Sequence, residues 1–193
     1  MTGSTDYVTV VSGLPRSGTS MMMRMLDEAG VPAVSDRLRT ADDDNPGGYY
    51  EFEPVKELPT NKSWVAGARG HAVKVIYKLV YELPRDVDYR IVFMARHIEE
   101  VLASQSRMLA RSGITVPEGD SDLFRALFTK DLAAFKDWVK TQPNIRIAYI
   151  DYRRVLDDTW AVGKDIAEFL ERDLDLDAFA AVVDPELYRN RSA

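Results

Sequence analysis

The chain has 193 residues, 46% hydrophobic and 29% charged, a balance that suits one domain with a sizeable core. Thirty-one acidic against 25 basic residues give a net charge of -6, which argues against broad nucleic-acid binding and leaves room for a local basic pocket. The absence of cysteine removes disulfides, thiolate metal sites and cysteine nucleophiles together. No apolar run approaches the roughly 20 residues of a membrane span, and residues 1–6 lack the basic and apolar regions of a signal peptide. The expectation is a soluble, cytoplasmic protein without stable membrane insertion.

Residues 7–11, Tyr-Val-Thr-Val-Val, read as a strand buried on both faces. Residues 12–20, Ser-Gly-Leu-Pro-Arg-Ser-Gly-Thr-Ser, follow, and the methionine-rich run after them is made of good helix formers. A strand, a glycine loop and a helix start form an anion trap. Gly13 and Gly18 let the backbone turn sharply and approach a ligand, and the first helical N–H groups point at it. Gly13, four residues and Gly18 fit the phosphate-loop template, and Ser20 fills its final hydroxyl slot, but Thr19 stands in its lysine slot. The nearest positive charge is Arg16, whose planar fork can grip a tetrahedral anion. A helix is expected over 19–28, with Met22, Met25, Leu26 and Ala29 near helical spacing and packing the core; Gly30 and Pro32 end it.

Residues 35–70 are dense in turn formers, with Pro54, Pro59, Gly67 and Gly70 breaking any period, which suits a functional, substrate-shaping loop. Strands are expected over 71–77, 90–95 and 145–150, and helices over 99–108, 123–139 and 159–170. The clearest period belongs to 123–139, where Leu123, Phe124, Leu127, Phe128, Leu132, Phe135, Trp138 and Val139 mark a long amphipathic helix whose aromatics belong to the core. Strands alternating with helices imply a single α/β domain over 1–193 with a doubly wound, mostly parallel sheet. Ligands of such sheets lie at the strands' carboxyl ends, where the glycine loop sits.

A second constellation closes the strand at 90–95. Arg96 leaves the sheet there, and Ser104 follows eight residues later, two helical turns on, so the pair can close on one phosphate. Residues 15–20, Pro-Arg-Ser-Gly-Thr-Ser, resemble the 5′-phosphosulfate loop of the sulfotransferases that use 3′-phosphoadenosine 5′-phosphosulfate (PAPS), in which the cation precedes Ser-Gly-Thr as Arg16 does. Arg96 and Ser104 match that family's 3′-phosphate motif, with Ile98 where the family commonly has proline. Residues 149–170 look like the fourth strand and following helix of these enzymes. The tail 185–191 resembles the ending of small bacterial members, where Arg189 and Arg191 are either cofactor contacts or a solvated charged tail. The arginine-lysine-glycine segment of the cytosolic branch is absent.

The resemblance implies a P-loop NTPase-like three-layer sandwich that transfers a sulfuryl group from PAPS to a hydroxyl or amine of a small-molecule, glycan or lipid acceptor. The product is adenosine 3′,5′-bisphosphate (PAP), and no metal is required. Arg16 with Ser17, Gly18, Thr19 and Ser20 would hold the 5′-phosphosulfate, and Arg96 with Ser104 the 3′-phosphate. The cytosolic branch takes its base from a histidine two residues after a strand lysine; if that lysine is Lys74, the slot holds Ile76. Other branches use a glutamate after the first helix, and residues 45–51 look like that segment, making Glu51 the leading base, Glu53 the reserve and His71 the weaker rival. Lys74 would assist the leaving group or pair with a carboxylate. His97, beside the cofactor motif, reads as local structure. Two other readings stay open. Asp151 after an apolar strand suits a magnesium-binding aspartate of an ATP-dependent small-molecule or nucleoside kinase, against which Thr19 speaks. A module that binds nucleotide without turnover would keep the phosphate motifs and lack a working base.

Overall fold

In the computed structural model, which describes residues 5–36, 38, 48–111, 113 and 120–184, five strands form one all-parallel sheet. They are β1 (Val8–Gly13), β2 (Ala33–Val34), β3 (Ala72–Lys74), β4 (Tyr89–Ala95) and β5 (Ile145–Asp151), in the order β2-β3-β1-β4-β5. The β-branched residues of β1 place it centrally, paired with β3 on one side (Val11 opposite Lys74) and with β4 on the other (Gly13 opposite Met94).

Period-two alternation divides the apolar residues between two cores, one on each face. Val8 and Val10 of β1 join Ile91 and Phe93 of β4 on one face; Val11 joins Val92 and Met94 on the other. The first core is covered by α2 (Tyr77–Val80), α3 (Ile98–Arg111) and α4 (Asp120–Val139), with 3-10 turns at Glu53–Glu57 and Val65–Ala68. The second is covered by α1 (Thr19–Glu28), α5 (Tyr152–Asp157), α6 (Thr159–Leu170) and α7 (Leu176–Ala181). After β1 the chain crosses on the second face, and after β4 on the first. A crevice therefore opens at the carboxyl ends of β1 and β4.

Two expectations change. The strand over 71–77 shortens to Ala72–Lys74, because Ile76 turns 47% of its surface to solvent and the chain enters α2 at Tyr77. The irregular stretch 35–70 contains two 3-10 turns among its described residues, each burying valine into the first core. No helix among the described residues is long and apolar enough to cross a membrane.

Candidate active site

The loop between β1 and α1 is built around two glycines with no room for a side chain. A Cβ on Gly13 would lie 2.4 Å from Ser17 Oγ and 2.8 Å from the Met94 carbonyl. Gly18, at φ 95° the N-cap of α1, faces the Tyr152 ring, which a Cβ would meet at 2.6 Å. Arg16 adopts φ 68°, a left-handed conformation uncommon for a residue with a side chain, and such outliers cluster at ligand sites. Ser12 and Ser17 are buried hydroxyls whose Oγ atoms have no hydrogen-bond partner. The first turn of α1 carries no acidic residue, so nothing from its own side chains offsets the partial positive charge of its amino end.

The glycine loop and the Arg96–Ser104 segment, some 80 residues apart in sequence, meet in direct contact. Arg16 Nε donates to Ser104 Oγ at 3.1 Å, and Arg96 Nη1 donates to the Arg16 carbonyl at 3.1 Å. The eight-residue spacing works because α3 starts immediately past the end of β4, which brings the buried Ser104 over the loop. Arg96 is itself clamped: Nε donates to Glu100 Oε2 at 3.0 Å, and the guanidinium lies 4.2 Å from the centre of the Tyr152 ring. This cation–π contact and the buried ion pair fix the fork in place.

Lys74 brings an ammonium to the loop from β3. Its Nζ donates to Ser20 Oγ at 3.4 Å and to the Tyr49 carbonyl, and stands 3.6 Å from Glu51 Oε1. Ser20 Oγ also donates to the Tyr49 carbonyl at 3.2 Å. Residues 48–51 therefore strap across the start of α1 and carry Glu51 to the mouth of the site. The strap is anchored at Tyr50 and Glu51. The Glu51 carbonyl accepts from Ser35 Oγ and from Asp36 N at 3.0 and 3.1 Å. Tyr50, at φ 50°, donates its hydroxyl to Asp27 of α1 at 3.2 Å. Burial, with the Asp27 carboxylate adding to it, pushes the Tyr50 phenol up to about 12.

The remaining candidates fall elsewhere. Glu53 pairs with Lys56 at 2.6 Å on the surface. His71 precedes β3 at its amino end, with Nδ1 2.9 Å from the Arg69 carbonyl, about 10 Å of strand from Lys74. His97 closes the first turn of α3 through its carbonyl. Asp151 is the N-cap of α5, accepting from Arg154 N at 2.9 Å, and β5 lies two strands from β1, so its carboxylate serves a helix end and does not join the loop. Residues 45–47, Arg189 and Arg191 lie outside the described residues. Among the described residues, no three His, Asp or Glu side chains are grouped to hold a metal ion. The sequence reading missed Glu100, Arg153 and Tyr152. The signal for the first was its place four residues after Arg96, across a strand-to-helix junction.

A glycine loop at the carboxyl end of a central parallel strand, with basic side chains converging on it, defines a P-loop NTPase-like α/β domain. No family model and no curated protein matches the sequence. Solved structures do. The sulfotransferase domain from the Synechococcus PCC 7002 olefin synthase is 15% identical, with a TM-score of 0.57, over 96% of this chain and 83% of that one. Sulfotransferase STF9 from Mycobacterium avium is 12% identical, with a TM-score of 0.58, over 98% and 70%. Mouse sulfotransferase SULT7A1, complexed with PAP, is 19% identical, with a TM-score of 0.57, over 99% and 69%. The chain has a sulfotransferase-like fold.

Proposed function

We propose that the chain is a sulfotransferase that moves a sulfuryl group from PAPS to a hydroxyl or amine of an acceptor and releases PAP, in the cytoplasm. The observation that carries this reading is the direct contact of Arg16 with both Ser104 and Arg96, which makes one anion site of two distant motifs. The PAP bound to the mouse neighbour supports it. The residues present fit such a nucleotide: the buried Ser17 hydroxyl lacks a partner, and the guanidiniums of Arg16 and Arg96 meet at the loop.

In this reading Arg16 and the N–H groups of Ser17, Gly18, Thr19 and Ser20 hold the 5′-phosphosulfate, and Arg96 with Ser104 holds the 3′-phosphate. Bound PAPS supplies an activated sulfuryl group on a phosphate leaving group. Glu51 takes the acceptor proton, and Lys74, beside both Glu51 and Ser20, places positive charge where the leaving phosphate gains negative charge. Transfer is direct, with no covalent intermediate on the chain and no metal in the step.

Thermal denaturation tests the reading. PAP at about 100 times its dissociation constant adds roughly 2.7 kcal/mol, a Tm rise of several degrees for a chain of this size. That rise is expected without magnesium, and ATP with magnesium should give far less. A larger, magnesium-dependent shift with ATP would replace the reading with a kinase.

A further inference from the structure

The sheet has two edges of unequal length. On one side it ends in β2, two residues long; on the other it ends in β5, seven residues long and paired with β4 in unbroken register. We infer that the outer side of β5 pairs antiparallel with β5 of a second copy of this chain, across a two-fold axis at Ala148. The inference is independent of the reaction proposed above.

The backbone makes the pairing available. Tyr89 N donates to the Asn144 carbonyl at 2.8 Å, and Tyr89 stands opposite Ile145. In a parallel ladder this turns the N–H and C=O groups of Arg146, Ala148 and Ile150 towards β4, and those of Ile147 and Tyr149 outward. Among the described residues no strand lies beyond β5, and no hydrogen bond reaches the outward groups of Ile147 and Tyr149. Such an edge is a template for another strand, which native proteins blunt with proline, lysine or a bulge. β5 has none of these, and its two charged residues, Arg146 and Asp151, lie near its ends. The edge is also open from both faces. The Arg146 side chain on one face is 57% exposed and Tyr149 on the other 41%, so neither layer of helices overhangs the whole strand.

The strand's own residues select a second copy as the occupant. With the axis at Ala148, the Ile147 side chain of each copy faces the partner's Tyr149. Aromatic and β-branched pairs of this kind stabilise antiparallel strands. Tyr149 leans on Phe93 at 5.4 Å and Ile147 is half-buried, so both have apolar surface left to cover. Ala148 puts a small side chain at the axis, where the backbones approach most closely. Antiparallel alignment also sets the basic end of each strand beside the acidic end of the other. Symmetric pairing uses both long edges at once. Only the two-residue β2 edges remain at the ends of the doubled sheet, so the assembly closes as a dimer and does not grow.

Sedimentation equilibrium of the full chain measures the association. A dimer is expected, and Tyr149→Lys should raise its dissociation constant roughly tenfold or more, through two lost aromatic pairs and a charge at the edge. Leu123→Lys, at a 66% exposed position on α4, should leave the dissociation constant unchanged. The chain has no cysteine, so single-cysteine variants read the register directly. The axis sets the two Ala148 Cα atoms about 4.5 Å apart, within disulfide reach, and the two Arg146 Cα atoms about 14 Å apart. On oxidation Ala148→Cys should cross-link into dimers, and Arg146→Cys, at a more exposed position, should not. The Tm of each variant reports folding, and if Tyr149→Lys does not fold the cross-linking decides alone. A wild type that stays monomeric at high micromolar concentration overturns the proposal. So does a dimer that a folded Tyr149→Lys leaves intact, or one in which Arg146→Cys cross-links as readily as Ala148→Cys.

Discussion

Glu51 stands 3.6 Å from an ammonium and at the mouth of an anion site, and its conservative variant is the sharpest probe of chemistry. Glu51→Gln keeps the shape and removes the proton acceptor. Turnover should fall by roughly 10²- to 10⁴-fold, with PAP binding within a few-fold. Glu53→Gln and His71→Asn should leave turnover near normal, since Glu53 is paired with Lys56 and His71 sits at the other end of β3. Normal turnover in Glu51→Gln would move the base elsewhere. In the proposed reading Arg96 has two duties that one substitution mixes. Arg96→Ala should weaken PAP by about 1.5–3 kcal/mol more than adenosine 5′-monophosphate, as a charged hydrogen bond to the 3′-phosphate is lost. It should also lower the unliganded Tm, because the buried Glu100 loses its close partner. Adding Glu100→Ala removes the stranded carboxylate, so the double variant should regain Tm without regaining the PAP preference. A Tm that does not recover would mean that Arg96 stabilises the fold through packing on Tyr152 instead.

At the scale of elements, a carboxylate of α4 reaches two residues of α2. Asp131 accepts from the Tyr77 hydroxyl at 2.8 Å and pairs with Lys78 at 3.3 Å. The Tyr77 hydrogen bond, with Lys78 adding to it, holds the Asp131 carboxyl below its ordinary value. A depressed carboxylate stabilises the fold above its unfolded pKa of about 4, and that stability is lost as pH falls through the lower folded value. Urea midpoints should therefore fall less for Asp131→Asn than for the wild type between neutral pH and pH about 3, from a lower start at neutral pH. Parallel curves would show that the tie does not titrate. The aromatic stripe that docks α4 was legible because its period survives over five turns, and α1 and α6 were legible to the residue because glycine, proline or an aspartate cap marks their ends. The glycine loop and the Arg96–Ser104 pair stood out for a similar reason, as fixed spacings on adjoining elements, and the fold brings them into contact. What escaped was short or decided by tertiary contact. β2 is two residues long, and α5 and α7 are six each, too short to show a period. The strand at 71–77 read too long because Val75 and Ile76 have strand-forming side chains, yet only β1 and β2 limit how far β3 is paired. Glu100 drew no reading from its sequence, because the ion pairs with Arg96 and Arg153 that help offset its burial are set by the fold.

For the molecule as a whole, the decisive feature is that β1 is the centre of the sheet while its partners arrive much later in sequence. Its neighbours are β3 at Ala72–Lys74 and β4 at Tyr89–Ala95, and both pairings are parallel, so neither is made by a local hairpin. A fragment ending at residue 88 contains β1 and lacks β4. In hydrogen exchange its Val8–Gly13 amides should exchange at coil-like rates, whereas in the full chain they should be among the slowest. Slow exchange in the fragment would mean that β3 alone can hold β1. The same arrangement has a consequence during synthesis. At about 5–20 residues per second, roughly 4–16 s pass between the emergence of the glycine loop and the completion of β4. For that interval an apolar β-branched segment stands without the strand that pairs with its whole length, in need of a chaperone or of the ribosome tunnel to shield it.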